Sequence, residues 1–361
     1  MRMLQKKCND ISMPQQYKAR DIKIDFIKGI LIFLVVLGHS IQYGSGVTFF
    51  SGECYFDDIL FKIIYTFHMP CFGILSGYLY QQHVRNRTIA KKIQKIIKLI
   101  FPMLCFAIVN VMQSFLEGNI LATFPAILQN YIWIVCFNWW FIWSIIICYI
   151  FSMLIESIRL QLFVKILFIL CAQILFILLP NNGNMPLYGF IFLYFFIGYF
   201  LTDLFQLYSK WGGHIKKCVI VLMWVGCIFL YHREDYIYTS QLSLNGIFNN
   251  QLRQLNIDIF RWISGILGSF SFMDICNIFI GKLPQKIISF FCFLGKNTIY
   301  IYILQSYFSI YLLKVVKIEQ IPIHYLFNFL EAAFVIAICC IMICFFESIR
   351  IRVKKLLKKG E

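Results

Sequence analysis

Long runs of apolar residues recur along the whole chain, and they restrict its possible folds more than any other feature. A helix that crosses the hydrocarbon layer of a bilayer needs about 20 consecutive apolar residues. Ten such runs are present, at 24–43, 59–80, 99–116, 139–155, 162–179, 187–205, 217–231, 257–279, 297–313 and 325–346. The sequence therefore predicts an all-α, polytopic integral membrane protein with about ten transmembrane helices. Two shorter apolar stretches, 121–137 and 287–294, are interpreted as re-entrant or interfacial segments.

The composition excludes a water-soluble enzyme. Hydrophobic residues make up 60% of the chain and charged residues 14%, whereas soluble domains carry about 25% charged residues. A single aqueous core could not bury this much apolar surface. The formal charge of +16 raises the possibility of a nucleic-acid partner. We predict no nucleic-acid partner, because no basic domain with interleaved aromatic residues is present.

The basic residues instead indicate the topology. The loops and termini on one side of the ten spans hold 26 Lys and Arg residues, and those on the other side hold four. By the positive-inside rule, the N- and C-termini are cytoplasmic. We accordingly predict a cytoplasmic segment at 1–23, a transmembrane domain at 24–347 and a basic cytoplasmic tail at 348–361, in a protein that crosses the cell (inner or plasma) membrane several times.

Neither a cleaved signal peptide nor a metal site is predicted. The polar lead is 23 residues long, and the first apolar run has full membrane length without a cleavage site. The 14 cysteines lie mostly in apolar runs, and no C-x-x-C pair occurs among them. These cysteines are interpreted as small apolar residues rather than as ligands or disulfide partners.

Ionisable residues in the first span form the strongest candidate site, because charges inside a membrane are rare and costly. Lys28 and His39 are eleven residues apart, which brings them to one helix face about 16 Å apart along the axis. Asp25, three residues before Lys28, continues this stripe. Asp25 and Lys28 can alternatively form a juxtamembrane ion pair, and His39 can be a hydrogen-bonded packing residue.

The second span contains a break at mid-membrane depth. Pro70 frees a backbone carbonyl, which is tolerated only where protein or a water-lined cavity satisfies it. His68 lies beside this break and is a candidate substrate-binding residue, as is Ser76. The Ser76–Gly77 pair is equally well explained by close helix packing.

The loop after the second span carries six cations and no acid, between residues 81 and 98. Lys91, Lys95 and Lys98 recur at helical spacing, which predicts an amphipathic cytoplasmic helix. This helix could bind anionic lipid or a ligand with several phosphates.

Other polar or aromatic residues near the predicted outer face have two interpretations each. Trp140 belongs to an aromatic belt or to a substrate site. Asp258 and Arg261 can pair along one helix face or hold a polar substrate. Away from that face, Glu331 within the last span and Glu347 at its inner end are weaker candidates.

In this order, the motifs resemble those of the acyltransferase 3 family, integral-membrane enzymes that O-acetylate or O-succinylate bacterial surface polysaccharides. The first span is similar to the family's opening motif, in which a basic residue precedes a His by eleven positions. The other matching segments are Phe67–Tyr78, Leu99–Pro102, Trp140–Phe141 and Leu294–Gln305.

Two positions depart from the family pattern. Lys28 replaces the usual Arg, which keeps the charge but loses the bidentate fork. Gln305 stands where the penultimate motif commonly ends in His, and an amide cannot act as an acid or base. These departures leave His39 as the stronger catalytic candidate.

The resemblance implies transfer of an acetyl or similar short acyl group from cytoplasmic acyl-CoA, a co-substrate rather than a bound cofactor. The implied acceptor is a hydroxyl of a cell-surface glycan or lipid-linked sugar, with His39 as general base. Lys28 would help to hold the donor, and an acyl-His intermediate is an alternative. The CoA phosphates would be bound by Arg85, Arg87, Lys92 and Lys95; the further substrate-binding candidates are His68, Ser76, Trp140, Asp258, Arg261 and Gln305.

Two other functions fit a chain with this many spans. A transporter or flippase of lipid-linked sugar or polar solute is one alternative, although the two halves show no matching repeat. A glycan polymerase is the other, although the longest predicted outer loop, 232–254, has only 23 residues.

Overall fold

The structure is a computed structural model that describes residues 22–43, 54–120, 123–158, 161–211, 214–242, 244, 250–315 and 321–357. Throughout these ranges the regular elements are helices, which confirms the all-α prediction. In chain order they are α1 (Ile22–Tyr43), α2 (Ile59–His83), α3 (Ile89–Leu116), α4 (Phe124–Phe137), α5 (Trp140–Ser157), α6 (Leu162–Leu178), α7 (Met185–Trp211), α8 (His214–Leu230), α9 (Ile237–Ser240), α10 (Gln251–Ile280), α11 (Gln285–Lys296), α12 (Thr298–Val315) and α13 (Ile321–Leu357). Short 3-10 turns occupy Cys54–Asp57 and Arg233–Asp235.

Each of the ten predicted spans coincides with a helix, which confirms a multi-pass membrane protein. Among the described residues, six helices are long and apolar enough to cross a bilayer alone: Ile22–Gln42, Ile59–His83, Ile89–Leu116, Trp140–Ser157, Gln251–Ile280 and Tyr325–Val353. The predicted spans at 162–179 and 187–205 correspond to shorter apolar helices, Leu162–Leu178 and Met185–Leu201. The orientation of the termini stays a prediction.

A bend separates α11 from α12. The two helices meet at an angle of 73°, and the first part of α12, Thr298–Gln305, completes a broken span or a re-entrant segment with α11. Asn297 lies at the bend with φ −111° and ψ 17°, outside the helical range. The stretch 287–294, interpreted from the sequence as re-entrant or interfacial, lies in α11. The stretch 121–137 contains α4, a separate 14-residue helix.

Helix α2 lies at the centre of the bundle and packs against α7 without space for side chains between the backbones. A Cβ atom on Gly77 would lie 1.8 Å from the carbonyl oxygen of Phe195. On α7, a Cβ on Gly198 would lie 1.9 Å from the carbonyl oxygen of Ile74. The two glycines therefore permit a reciprocal backbone contact, which supports the packing interpretation of Gly77.

Helices α1 and α11 make a second contact of the same kind. A Cβ on Gly29 would lie 1.9 Å from the carbonyl oxygen of Phe291, and one on Gly295 would lie 1.8 Å from that of Asp25. Small residues let helices in a membrane approach this closely. The helix that carries Lys28 and His39 is therefore fixed against α11.

Helices α3 and α4 lie at the edge of the bundle. They form a smaller core with α5 and α12, around Met103 and Trp139. Their outer faces carry exposed large apolar side chains, among them Phe101, Met112 and Trp133. Such a surface is stable in lipid and not in water, which agrees with the membrane assignment.

Candidate active site

One face of α1 borders a cavity inside the bundle. The cavity has a volume of about 160 Å³, and its lining includes Lys28, Ile32 and Val35 from α1. These positions follow the helical repeat that was predicted to connect Lys28 with His39, and His39 is the next residue of that repeat. Asp25 is buried at the start of α1, where its charge is favourable for the helix dipole.

The rest of the lining is mostly apolar. Ser76 from α2, Tyr149 from α5, and Thr298 and Tyr302 from α12 are among the polar residues that face it. Lys28 is the one charged residue of the described chain in this lining. We call this space the apolar cavity. Its ammonium group, that of Lys28, lies at the end nearest the start of α1.

His39 forms a hydrogen bond with Gln305, two residues that are 266 positions apart in the sequence. His39 Nδ1 lies 2.9 Å from Gln305 Oε1, and the Gln305 side chain is almost completely buried. Tyr302, one turn before Gln305 on α12, lines the apolar cavity. The structure therefore joins His39 of α1 to α12, and both helices contribute residues to the cavity lining.

The hydrogen bonds of Gln305 select one tautomer of His39. Gln305 Nε2 donates to the carbonyl oxygen of Tyr302 at 3.4 Å, which turns Oε1 toward His39. Because an amide oxygen only accepts, His39 Nδ1 must carry the proton. Nε2 is then the unprotonated ring nitrogen, as a general base requires.

His68 belongs to a second, smaller pocket on the side of the bundle that carries the 232–241 segment. Its lining is mainly aromatic and includes Tyr65, Trp140, Tyr236 and Tyr238. His68 Nδ1 donates to the carbonyl oxygen of Ile64 at 2.8 Å, so this imidazole too has its unprotonated nitrogen at Nε2. We call this space the aromatic pocket; Trp140 lines it as well as forming part of the predicted aromatic belt.

Asp258 and Arg261 form a buried ion pair with an N–O distance of 3.1 Å. The guanidinium also donates to the carbonyl oxygens of Asp235 and Gln241, each at 2.8 Å, and to the Ser240 hydroxyl. Arg261 thereby fixes the segment that supplies Tyr236 and Tyr238 to the aromatic pocket. This geometry gives Arg261 a positioning role, and direct contact of either residue with substrate stays a prediction.

The Asp235 carboxylate stabilises the turn in this segment. It accepts a hydrogen bond from the backbone N–H of His232 at 2.6 Å. Burial raises the pKa of Asp235, while this hydrogen bond and the Arg261 charge oppose the rise. The segment from His232 to Gln241, next to the aromatic pocket, is thus held by the Asp235 carboxylate near its start and by the Arg261 guanidinium at its end.

The four cations predicted to bind CoA phosphates have different environments. Arg87 and Lys95 are exposed, and Arg85 lies 5.6 Å from the ring centroid of Tyr199. Lys92 is instead buried and forms an ion pair with Glu156 of α5. Tyr199 donates a hydrogen bond to the same carboxylate at 3.0 Å. Phosphate binding by these residues stays a prediction, and Lys92 has a second role in joining α3 to α5.

We expect the Lys92–Glu156 pair to contribute strongly to stability. Lys92→Met or Glu156→Gln leaves one partner buried and unpaired, so each should lower the free energy of unfolding by about 3 kcal/mol. The double substitution Lys92→Met with Glu156→Met should recover most of this loss. Thermal unfolding of the purified protein in one detergent measures all three variants.

The same variants separate the two roles of Lys92. If the ion pair is its whole contribution, KM for acyl-CoA in the double variant should equal that of the wild type. A KM that stays raised despite recovered stability would assign Lys92 to donor binding. Arg87→Gln, at an exposed position, is the control for a cation outside the ion pair.

Sequence reasoning missed three residues of these arrangements: Glu156, Tyr302 and Met69, which lines both the apolar cavity and the aromatic pocket. Glu156 lies at the end of a predicted span, and no local pattern connects it with Lys92. Met69 and Tyr302 are apolar or aromatic residues in membrane helices, and such residues are too common to be noticed. Two signals in the sequence could have indicated them: Met69 is next to Pro70, and Tyr302 lies one helical turn before Gln305.

Together, the helical bundle and the His39–Gln305 hydrogen bond define a polytopic membrane protein with a histidine–amide pair between two of its helices. The sequence profile of the acyltransferase 3 family, described as an acyltransferase domain, matches residues 21–346. The chain therefore belongs to the acyltransferase 3 family.

Two proteins similar to this chain are both named nodulation protein NolL. The chain is 28% identical over 233 residues to the nodulation protein NolL of Sinorhizobium fredii, an alignment that covers 61% of this chain and 60% of the relative. It is 31% identical over 149 residues to the nodulation protein NolL of Mesorhizobium japonicum, covering 38% of this chain and 37% of the relative. The matches thus span less than two thirds of either relative. No solved structure matches the chain.

Proposed function

We propose that the protein transfers a short acyl group, acetyl in the first instance, from cytoplasmic acyl-CoA to a hydroxyl of a cell-surface glycan or lipid-linked sugar. The observation that carries this proposal is the arrangement of the two spaces. Lys28, Ile32 and Val35 of the helix that carries His39 line the apolar cavity, and Met69 lines both this cavity and the aromatic pocket. Under the predicted topology, a donor in the cavity and an acceptor in the pocket would approach His39 from the two faces of the membrane.

The apolar cavity suits the donor. Its volume of about 160 Å³ suits a short acyl chain, and its lining excludes water from the thioester. Under the predicted topology, Lys28 lies at the cytoplasmic end, where its ammonium can hold the donor. Asp25, one turn earlier, would orient that ammonium, and Arg85, Arg87 and Lys95 would contact the CoA phosphates.

The aromatic pocket supplies the kinds of group that bind a sugar acceptor. Its volume in this structure is about 10 Å³, room for about one water molecule, so a sugar must displace lining side chains to enter. Aromatic rings stack on the apolar faces of sugars, and His68 and Trp140 supply polar groups at its wall. Under the predicted topology this pocket lies toward the outer face of the inner or plasma membrane. The lipid bilayer would carry a lipid-linked acceptor to this position.

The chemical step needs one base and no bound cofactor. His39 Nε2 removes the proton from the acceptor hydroxyl, and the oxygen attacks the thioester carbonyl. The tetrahedral intermediate then breaks its carbon–sulfur bond. The imidazolium returns the proton to the CoA thiolate, so that the products are an ester and free CoA.

Reconstituted protein tests the proposal. Proteoliposomes receive acetyl-CoA that is radiolabelled in the acetyl group, together with a lipid-linked sugar or a polysaccharide acceptor. We expect alkali-labile label on the acceptor, in proportion to the amount of protein. Movement of the lipid-linked sugar across the bilayer without acylation would instead support a transporter.

A further inference from the structure

One side chain lies between the apolar cavity and the aromatic pocket. Met69 of α2 lines both spaces, and only 6% of its surface is exposed. Its neighbour in the sequence, His68, faces the aromatic pocket. The two spaces thus meet at Met69, the one residue of the described chain that lines both.

The backbone around Met69 is fixed. A Cβ on Gly265 of α10 would lie 2.9 Å from Pro70 Cγ, and one on Gly73 would lie 3.0 Å from Tyr194 Cβ. The Thr66 hydroxyl accepts a hydrogen bond from Trp224 Nε1 at 3.1 Å. Helix α2 is therefore held by α7, α8 and α10 on both sides of Met69.

The side chain, in contrast, is adaptable. Methionine is unbranched, has three rotatable bonds, and fits irregular spaces at low cost. A change of its rotamer can join the two spaces without any movement of the helix. Neither His68 nor Pro70 could do this, because the His68 ring is bonded to the Ile64 carbonyl and proline has no free side-chain rotation.

We propose that the Met69 side chain is a movable partition that separates the acyl donor from the acceptor pocket and limits the length of the acyl group. This inference rests on the proposed function. With the partition closed, water from the acceptor side cannot reach the thioester. The acceptor hydroxyl displaces the side chain when it binds, and transfer follows.

The alternative fate of the donor is hydrolysis. Water adds to the thioester carbonyl, the carbon–sulfur bond breaks, and the products are the free carboxylic acid and CoA. A smaller residue at position 69 should favour this reaction. It should also enlarge the end of the apolar cavity, so that longer acyl groups fit.

The experiment compares CoA release with ester formation for purified variants in lipid nanodiscs, using acetyl-CoA, butyryl-CoA and hexanoyl-CoA. For Met69→Ala we expect acceptor-independent CoA release to rise about tenfold. The preference for acetyl over butyryl should also fall about tenfold, since these two groups differ by two methylenes and such a difference changes discrimination by this factor. Met69→Leu keeps the volume but is branched and less flexible, so it should keep the low hydrolysis and the acetyl preference of the wild type while ester formation becomes slower. Met69→Val is the second small variant, should Met69→Ala not fold.

Met103→Ala is the matched control, because Met103 is completely buried in the smaller core outside both spaces. Equal hydrolysis in the two alanine variants would assign the effect to general loosening and overturn the proposal. Unchanged hydrolysis and chain-length preference in folded Met69→Ala and Met69→Val would overturn it as well. If the wild type acylates no acceptor, the proposed function is contradicted, and the partition, which rests on it, is contradicted too.

Discussion

Replacement of His39 by Ala is expected to lower the acyl-transfer rate by a factor of about 10² to 10⁴, the usual contribution of a general base. A sugar hydroxyl is a poor nucleophile at neutral pH and therefore reacts slowly without a positioned base. Binding of acyl-CoA should change little, because Lys28 and the basic loop are unaltered. Ester formation by purified protein, with KM for acyl-CoA measured in parallel, tests both expectations.

His232→Asn is the matched control for this variant. The His232 side chain is largely exposed and lies at the N-terminus of a short turn, where asparagine is also a good capping residue. We expect its activity to equal that of the wild type. Undiminished transfer by folded His39→Ala would remove His39 from the chemistry and make His68, with the same tautomer, the next residue to test.

The second large effect is expected at Gln305. Gln305→Leu removes the acceptor of the His39 Nδ1–H group, so the imidazole loses the bond that fixes its tautomer and orientation. Groups that orient a functional histidine in this way typically contribute 10- to 100-fold, and we expect kcat to fall by about this factor. Gln305→Asn, whose shorter amide cannot reach as far, should give an intermediate loss.

Gln305→Glu separates orientation from mere packing. A carboxylate at this position would stabilise the charged form of His39, so the base becomes protonated at higher pH than in the wild type. The acidic limb of the pH–rate profile should therefore move to higher pH, while the rate on the plateau is largely kept. A profile that coincides with that of the wild type would indicate that Gln305 only fills space.

The sequence predicted the helices well because a bilayer imposes a simple rule on them. Each apolar run must form a helix, since its backbone groups find no other partners in lipid. The bend at Asn297 was harder to place. Residues 287–294 are too few to cross alone, but the sequence does not say whether the next helix continues in the same direction.

The part of the site that lies on one helix was also predicted, because the helical repeat fixes which residues of α1 share a face. Lys28 and His39 share a helix face, and the helical repeat alone brings Ile32 and Val35 between them into one lining. Contacts between distant helices could not be obtained in this way. Gln305 was interpreted from the sequence as the loss of an acid or base, whereas the structure makes it the hydrogen-bond partner of His39.

The two glycine crossings have a mechanical consequence. Where the backbones of α1 and α11, and of α2 and α7, touch without intervening side chains, one helix cannot slide past its neighbour without a clash between backbone atoms. The helix that carries Lys28 and His39 is therefore tied to α11, and the helix that carries His68 is tied to α7. Under the proposed function we expect His39 to stay at one depth in the membrane while the substrates travel to it, in contrast to a carrier that moves its binding site across the bilayer.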